Sequence, residues 1–153
     1  MQFERVMETP IGRVTLCADA DGICALKFGA CSCRADESPV LDQAQRQLEE
    51  YFAGRRRAFS VPLSIHGSDF QMKVWRALME IPYGETVSYG ELARRIGNPR
   101  ACRAVGMANH VNRIPIFIPC HRVVGASGKL TGYAGGLEAK RILLETEGID
   151  VKV

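Results

Sequence analysis

Cys120 and His121 stand side by side in the run Ile118-Pro119-Cys120-His121-Arg122-Val123-Val124. A thiol, an imidazole and a guanidinium follow one another without a gap. The stretch just upstream, Ile114-Pro115-Ile116-Phe117-Ile118, is apolar apart from its backbone. Positive neighbours lower a thiol pKa, and a thiolate is the nucleophilic form of cysteine. The run therefore predicts a nucleophile held ionised in an apolar, cationic pocket, suited to capturing an electrophilic carbon.

A nucleophile needs elements that present it. Ser68-Asp69-Phe70-Gln71 reads as a capping box, and Phe70, Val74, Trp75, Leu78 and Met79 recur at helical spacing behind it. Pro82-Tyr83-Gly84 stops that helix. Ser88-Tyr89-Gly90-Glu91 opens a short helix through Ile96. Gly97 ends it, Asn98 is placed as the cap of the next, and Pro99 takes its first position. Two short helices, 89–96 and 99–109, then meet as a helix-turn-helix. The second carries Arg100 and Arg103 three residues apart, on one expected face. A last helix is predicted from Leu137 to Glu145.

Charge points the same way. Residues 1–66 hold 8 basic and 9 acidic side chains, whereas residues 67–153 hold 12 and 8. Between Glu91 and Glu138 lie Arg94, Arg95, Arg100, Arg103, Arg113, Arg122 and Lys129, with no acidic residue. Such a stretch is either a solvated basic face or a phosphate-binding footprint.

The first third reads as strands at 13–18 and 23–28 around the turn Asp19-Ala20-Asp21-Gly22. A helix follows over 40–51, then a short strand at 59–63. A boundary falls near Ile65-His66-Gly67, which divides the 153 residues into lobes 1–66 and 67–153. Apolar residues make up 46% and charged residues 24%, which excludes a disordered chain. No apolar run approaches the ~20 residues of a membrane helix. No signal segment is visible at the N-terminus, so a cytoplasmic location is expected. Cys17, Cys24, Cys31 and Cys33 raise the possibility of zinc, but their spacing is not that of paired C-x2-C motifs, and no metal is expected.

From Phe70 to Gly148 the chain resembles the O-6-alkylguanine-DNA alkyltransferases, the methylated-DNA–protein-cysteine methyltransferases. The resemblance rests on Pro82-x-Gly84-Glu85-x-Val87-Ser88-Tyr89, Gly97-Asn98-Pro99-Arg100-Ala101, Arg103-Ala104-Val105-Gly106, Asn112, Ile116-x-Ile118-Pro119-Cys120-His121-Arg122-Val123-Val124, Gly132-Tyr133-x-Gly135-Gly136 and Glu147-Gly148. Thr9-Pro10-Ile11-Gly12 resembles the N-terminal lobe more loosely.

The resemblance implies an α/β (α+β) fold. The N-terminal lobe is ribonuclease-H-like; the mostly helical C-terminal lobe carries a winged helix-turn-helix, with the cysteine on a short strand. It implies a single-use protein, needing no cofactor, that flips O-6-alkylguanine, and O-4-alkylthymine, out of duplex DNA. The alkyl group then passes to Cys120. His121 deprotonates the thiol through a water, and Glu147 polarises the imidazole in a triad-like relay. Asn112 braces the turn before the cysteine, and Tyr89 hydrogen-bonds the flipped base. Arg103 enters the base stack through the minor groove, flanked by Ala101 and Cys102, while Arg100 and Arg94 contact phosphate. Tyr133, Val123, Ala134 and Asn109 line the base pocket, with backbone carbonyls of Val123 and Cys120 accepting from the guanine amino group. The protein is expected to be a monomer that can assemble cooperatively on DNA, with no membrane partner.

Two positions depart from many relatives. Ala134 replaces a serine, which predicts weaker inactivation by benzylated guanine base, and Asn109 replaces an apolar residue in some relatives. Cys120 argues against an alkyltransferase-like damage sensor, the nearest alternative. A cysteine hydrolase or a plain winged-helix regulator are the remaining rivals.

Overall fold

The computed structural model describes residues 2–31 and 34–151. It divides into two compact units, Met1–His66 and Gly67–Val153. In the first, β1 (Phe3–Thr9), β2 (Gly12–Asp19) and β3 (Gly22–Phe28) form an antiparallel sheet in that order. β1 was not foreseen as a strand. Residues of β1 pair along their length with β2, from Phe3 opposite Ala18 to Thr9 opposite Gly12. α1 (Pro39–Phe52) starts at Ser38, whose side chain accepts from the Leu41 N–H, with Pro39 in the first turn. Its apolar positions Leu41, Ala44, Leu48 and Tyr51 are all buried, as their spacing predicts.

The expected strand at 59–63 is not formed. Only Leu63 makes a single bridge, to Ile23. The segment's N–H groups find another partner: buried Gln47 accepts from Ser60 N (3.0 Å) and Val61 N (3.2 Å) through Oε1 and donates to Ser60 Oγ (2.8 Å). A side-chain amide thus takes the place of a sheet neighbour.

In the second unit, α2 (Asp69–Met79) has the full capping box: Gln71 N–H donates to Ser68 Oγ and Ser68 N–H to Gln71 Oε1. The strand β4 (Val87–Ser88) leads into α3 (Tyr89–Arg95); α4 (Cys102–His110), β5 (Val123–Val124) and α5 (Leu137–Thr146) follow. β4 and β5 pair in parallel, bringing Val87 opposite Val123. α2, α3 and α4 pack on one another, and Trp75 Nε1 donates to the Ala108 carbonyl across α2 and α4 (2.9 Å).

The second helix of the pair begins three residues later than expected. Gly97, at φ +81°, closes α3 with Gly97 N–H on the Arg94 carbonyl and Asn98 N–H on the Ala93 carbonyl. Asn98 is therefore spent on ending α3. Its carbonyl then accepts from Ala101 N–H in a turn, and Ala101, without a side-chain cap bond, precedes the helix. Arg100 lies in that turn, not on a shared helix face with Arg103.

Candidate active site

Cys120 heads a 3-10 turn, Cys120–Arg122, rather than a strand; β5 starts only at Val123. The approach to it is strained. Ile116, buried and β-branched, has φ +75°, a conformation rare for such a residue. Asn112 braces this bend: its Nδ2 donates to the Ile118 carbonyl (2.8 Å) and its Oδ1 accepts from Ile114 N–H (3.0 Å). Ile118 N–H closes the loop onto the Ile114 carbonyl (2.9 Å). Strain at one residue persists because these bonds and the apolar packing over-determine the path of the chain.

His121 and Glu147 meet across the unit. His121 Nε2 lies 2.6 Å from Glu147 Oε2, and both side chains are wholly buried. Arg122 joins the same carboxylate from a second side, with Nε on Oε1 (2.9 Å) and Nη2 on Oε2 (3.1 Å). Its Nη1 donates to the Ile81 carbonyl (2.7 Å), and its guanidinium lies 5.8 Å from the centre of the Tyr83 ring. Gly84 N–H donates to Glu147 Oε1 (3.0 Å). Gly84 adopts φ +82°, open to glycine without penalty, as it aims that N–H. Burial pushes the Glu147 carboxyl up, but the bonds from His121, Arg122 and Gly84 outweigh it and hold the group at about 2. His121 is held below its usual value by burial, with Arg122 and Lys140 adding to this against the pull of Glu147.

Two expectations about Cys120 are corrected here. Arg122 follows the thiol in sequence but spends its charge on Glu147. Burial raises the Cys120 thiol to about 11, and hydrogen bonding from Asn112, the charge of Lys140 and hydrogen bonding from Tyr133 only partly offset it. The free protein thus holds a neutral thiol, not a thiolate.

The cation whose charge acts on the thiol was missed. Lys140 is wholly buried on α5, with Nζ donating to the carbonyls of Val123 (2.7 Å) and Thr131 (3.1 Å). Burial lowers its pKa to about 8. Only its place on the apolar side of the last helix could have hinted at it, since α5 buries Ala139, Leu143 and Leu144 with it.

The other candidates fall in two groups. Tyr133 and Val123 are buried beside Cys120, and Ala134 is exposed. Asn109, buried on α4, donates from Nδ2 toward the Cys120 carbonyl at 3.5 Å. Tyr89 begins α3; its hydroxyl pairs with Thr131 Oγ1 at 2.8 Å, and a Cβ on Gly106 of α4 would lie 3.9 Å from its ring. On α4, Cys102 and Arg103 point to solvent, and Arg103, Met107 and His110 form an exposed stripe one and two turns apart. Arg100 is exposed and Ala101 half-buried. Arg94 is also exposed but is not an uncompensated charge: it and Arg95 both pair with Glu91 (2.7 and 3.3 Å).

Cys17 is buried, Cys24 half-buried and Cys31 exposed; Cys33 lies outside the described residues. Among the described residues, no group of three or more His, Cys, Asp or Glu side chains is arranged to hold a metal ion. No helix among them is long and apolar enough to cross a membrane.

The chain has close relatives. The ribonuclease-like domain of 6-O-methylguanine DNA methyltransferase matches residues 3–65, and the DNA-binding domain of that family matches residues 69–149. A methylated-DNA–protein-cysteine methyltransferase of Methanosarcina acetivorans is 51% identical over 153 aligned residues, covering 95% of this chain and 98% of that one. The constitutive enzyme of that name from Bacillus subtilis is 45% identical over 99% of both chains. Among solved structures, Mycobacterium tuberculosis OGT in complex with DNA superposes with a TM-score of 0.87 at 47% identity, covering 95% of this chain and 93% of that one. With both units matched in order and nearly full-length relatives at about half identity, the chain belongs to the 6-O-methylguanine DNA methyltransferase family.

Proposed function

We propose that the protein repairs DNA by moving the alkyl group of a flipped O-6-alkylguanine to Cys120, once per molecule. The observation that carries this reading is a buried thiol followed in the same turn by an imidazole locked, at 2.6 Å, to a buried carboxylate. Before transfer the thiol is neutral. Its proton passes to His121, whose imidazolium the ionised Glu147 stabilises. Sγ then attacks the alkyl carbon in line, the S–C bond forms as the C–O6 bond breaks, and the departing guanine takes up a proton at N1 from water as His121 gives up to water the proton it took from the thiol. The products are a thioether and ordinary guanine. No group in the site regenerates the thiol, so the reaction stops there.

A neutral resting thiol suits a protein that can act only once. The nucleophile stays unreactive toward stray electrophiles until a base fills the pocket. Lys140 stabilises the developing thiolate, and Tyr89 and Tyr133 contact the base and its leaving oxygen. Arg103 leads α4 into the minor groove and fills the gap left by the base, where the exposed Arg103–Met107–His110 stripe offers a stacking cation and an apolar side chain. Arg100 contacts phosphate; Arg94 contributes less, with Glu91 beside it. The unit from Gly67 onward carries both DNA binding and transfer, and the protein works as a monomer in the cytoplasm.

A damage sensor that binds without transfer is the rival. Incubation with duplex DNA bearing O-6-methylguanine, followed by mass analysis, separates the two. One added methyl on the Cys120 peptide, absent in Cys120→Ala that still binds DNA, is the expected result. DNA binding with no mass gain in the native protein would overturn the proposal.

A further inference from the structure

Asn109 is a buried polar side chain beside Cys120 that the transfer chemistry leaves unexplained. It sits on α4, six residues after Arg103, and is 4% exposed. Its Nδ2 reaches the carbonyl of the nucleophile itself, at 3.5 Å. Its Oδ1 is buried and has no hydrogen-bond partner. A buried amide oxygen without a donor is disfavoured, and a donor carried by a bound ligand would satisfy it. The reverse amide orientation would turn oxygen toward oxygen at Cys120, so the donor-to-carbonyl assignment stands.

The neighbouring acceptors are already engaged. The Val123 carbonyl accepts from Lys140 Nζ at 2.7 Å, and the Cys120 carbonyl faces Asn109 Nδ2. Each carbonyl keeps a second lone pair, but only Asn109 Oδ1 meets no competing donor.

Once alkylated at O6, guanine has no hydrogen on N1, and its exocyclic 2-amino group is the donor left on that edge of the ring. Alkylated thymine, with its N3 hydrogen also lost, offers no donor. Resting on the function proposed above, we infer that Asn109 Oδ1 is a specificity contact that accepts from the 2-amino group of the flipped base and favours guanine over thymine lesions.

The test compares two duplexes differing by one group: O-6-methylguanine and O-6-methylhypoxanthine, the same base without the amino group. Single-turnover methyl transfer to Cys120 is measured for the native protein, Asn109→Leu and Asn109→Ala, with folding checked by circular dichroism. The native protein is expected to favour guanine, and the guanine-to-hypoxanthine rate ratio to fall roughly fivefold to tenfold in the variants, as loss of one hydrogen bond requires. An unchanged ratio in either folded variant overturns the inference while leaving the proposed function intact. A native ratio near one overturns it even if neither variant folds. No methyl on native Cys120 from either duplex sinks the function and this inference together.

Discussion

Replacing Glu147 by glutamine separates the two duties of one carboxylate. Glu147 receives His121 at 2.6 Å, Arg122 at 2.9 and 3.1 Å, and the Gly84 N–H at 3.0 Å. Neutralising it leaves the Arg122 guanidinium, 8% exposed, without its counter-charge. Removing one partner of a buried ion pair costs about 3–5 kcal/mol. The carboxyl's fall from 4.5 to about 2 gives a similar figure, about 3 kcal/mol. Urea unfolding followed by circular dichroism at pH 7 should show a loss of that size. A group with a depressed folded pKa contributes fully above its unfolded value and loses its contribution as pH falls through the folded one. The gap between native protein and Glu147→Gln should therefore close between about pH 4.5 and 2. Methyl transfer should slow on the order of 100-fold, as His121 loses the carboxylate that supports its charged form. Adding Arg122→Met removes the orphaned cation, so stability should return to within about 1–2 kcal/mol of native while transfer stays slow. A single variant that loses under about 1 kcal/mol, or a double variant that recovers transfer, would refute this reasoning.

Arg103→Ala should slow repair of duplex DNA at least tenfold yet leave the reaction with free benzylated guanine base within about twofold, because the side chain acts on the stack and not on the thiol; equal slowing of both contradicts the role. Alkylation of Cys120 in the free protein by a small neutral reagent should be slow at pH 7 and climb until about pH 11, since burial holds the thiol protonated. A plateau near the ordinary value of 9.0 would count against it. In Lys140→Met the alkylation rate at pH 7, where Lys140 still carries its proton, should fall below that of the native protein, because the charge that favours the thiolate is gone; an unchanged rate would show that Lys140 acts only on the carbonyls of Val123 and Thr131. Asn112→Ala should cost about 1–3 kcal/mol in urea unfolding, because it leaves the buried Ile114 N–H without a partner and takes one of two donors from the Ile118 carbonyl, which keeps the Cys120 N–H; a neutral result would remove Asn112 from the brace.

Local patterns carried much of the molecule. The capping box at Ser68, the apolar stripe of α1 and the hairpin at Asp19–Gly22 are interactions between residues a few positions apart, and each is written in spacing. They failed where another group claimed the same backbone atoms. Residues 59–63 have strand-like text, yet Gln47 takes their N–H groups. Asn98 and Pro99 read as a helix start, yet the backbone of Asn98 is committed to ending α3.

By itself the amino-acid order identified the sulfur, the imidazole beside it, the basic helix upstream and the family to which they belong, because those rest on residue identity and motif order. Only the folded chain decided which charge faces which group. Arg122, next but one to Cys120, pairs with Glu147, and it is Lys140, twenty positions on, whose charge favours the thiolate. Adjacency along the backbone sets neither direction nor depth. The ionisation of a buried group depends on both, through lost hydration and through distances that close only when α5 packs beside the Cys120 turn.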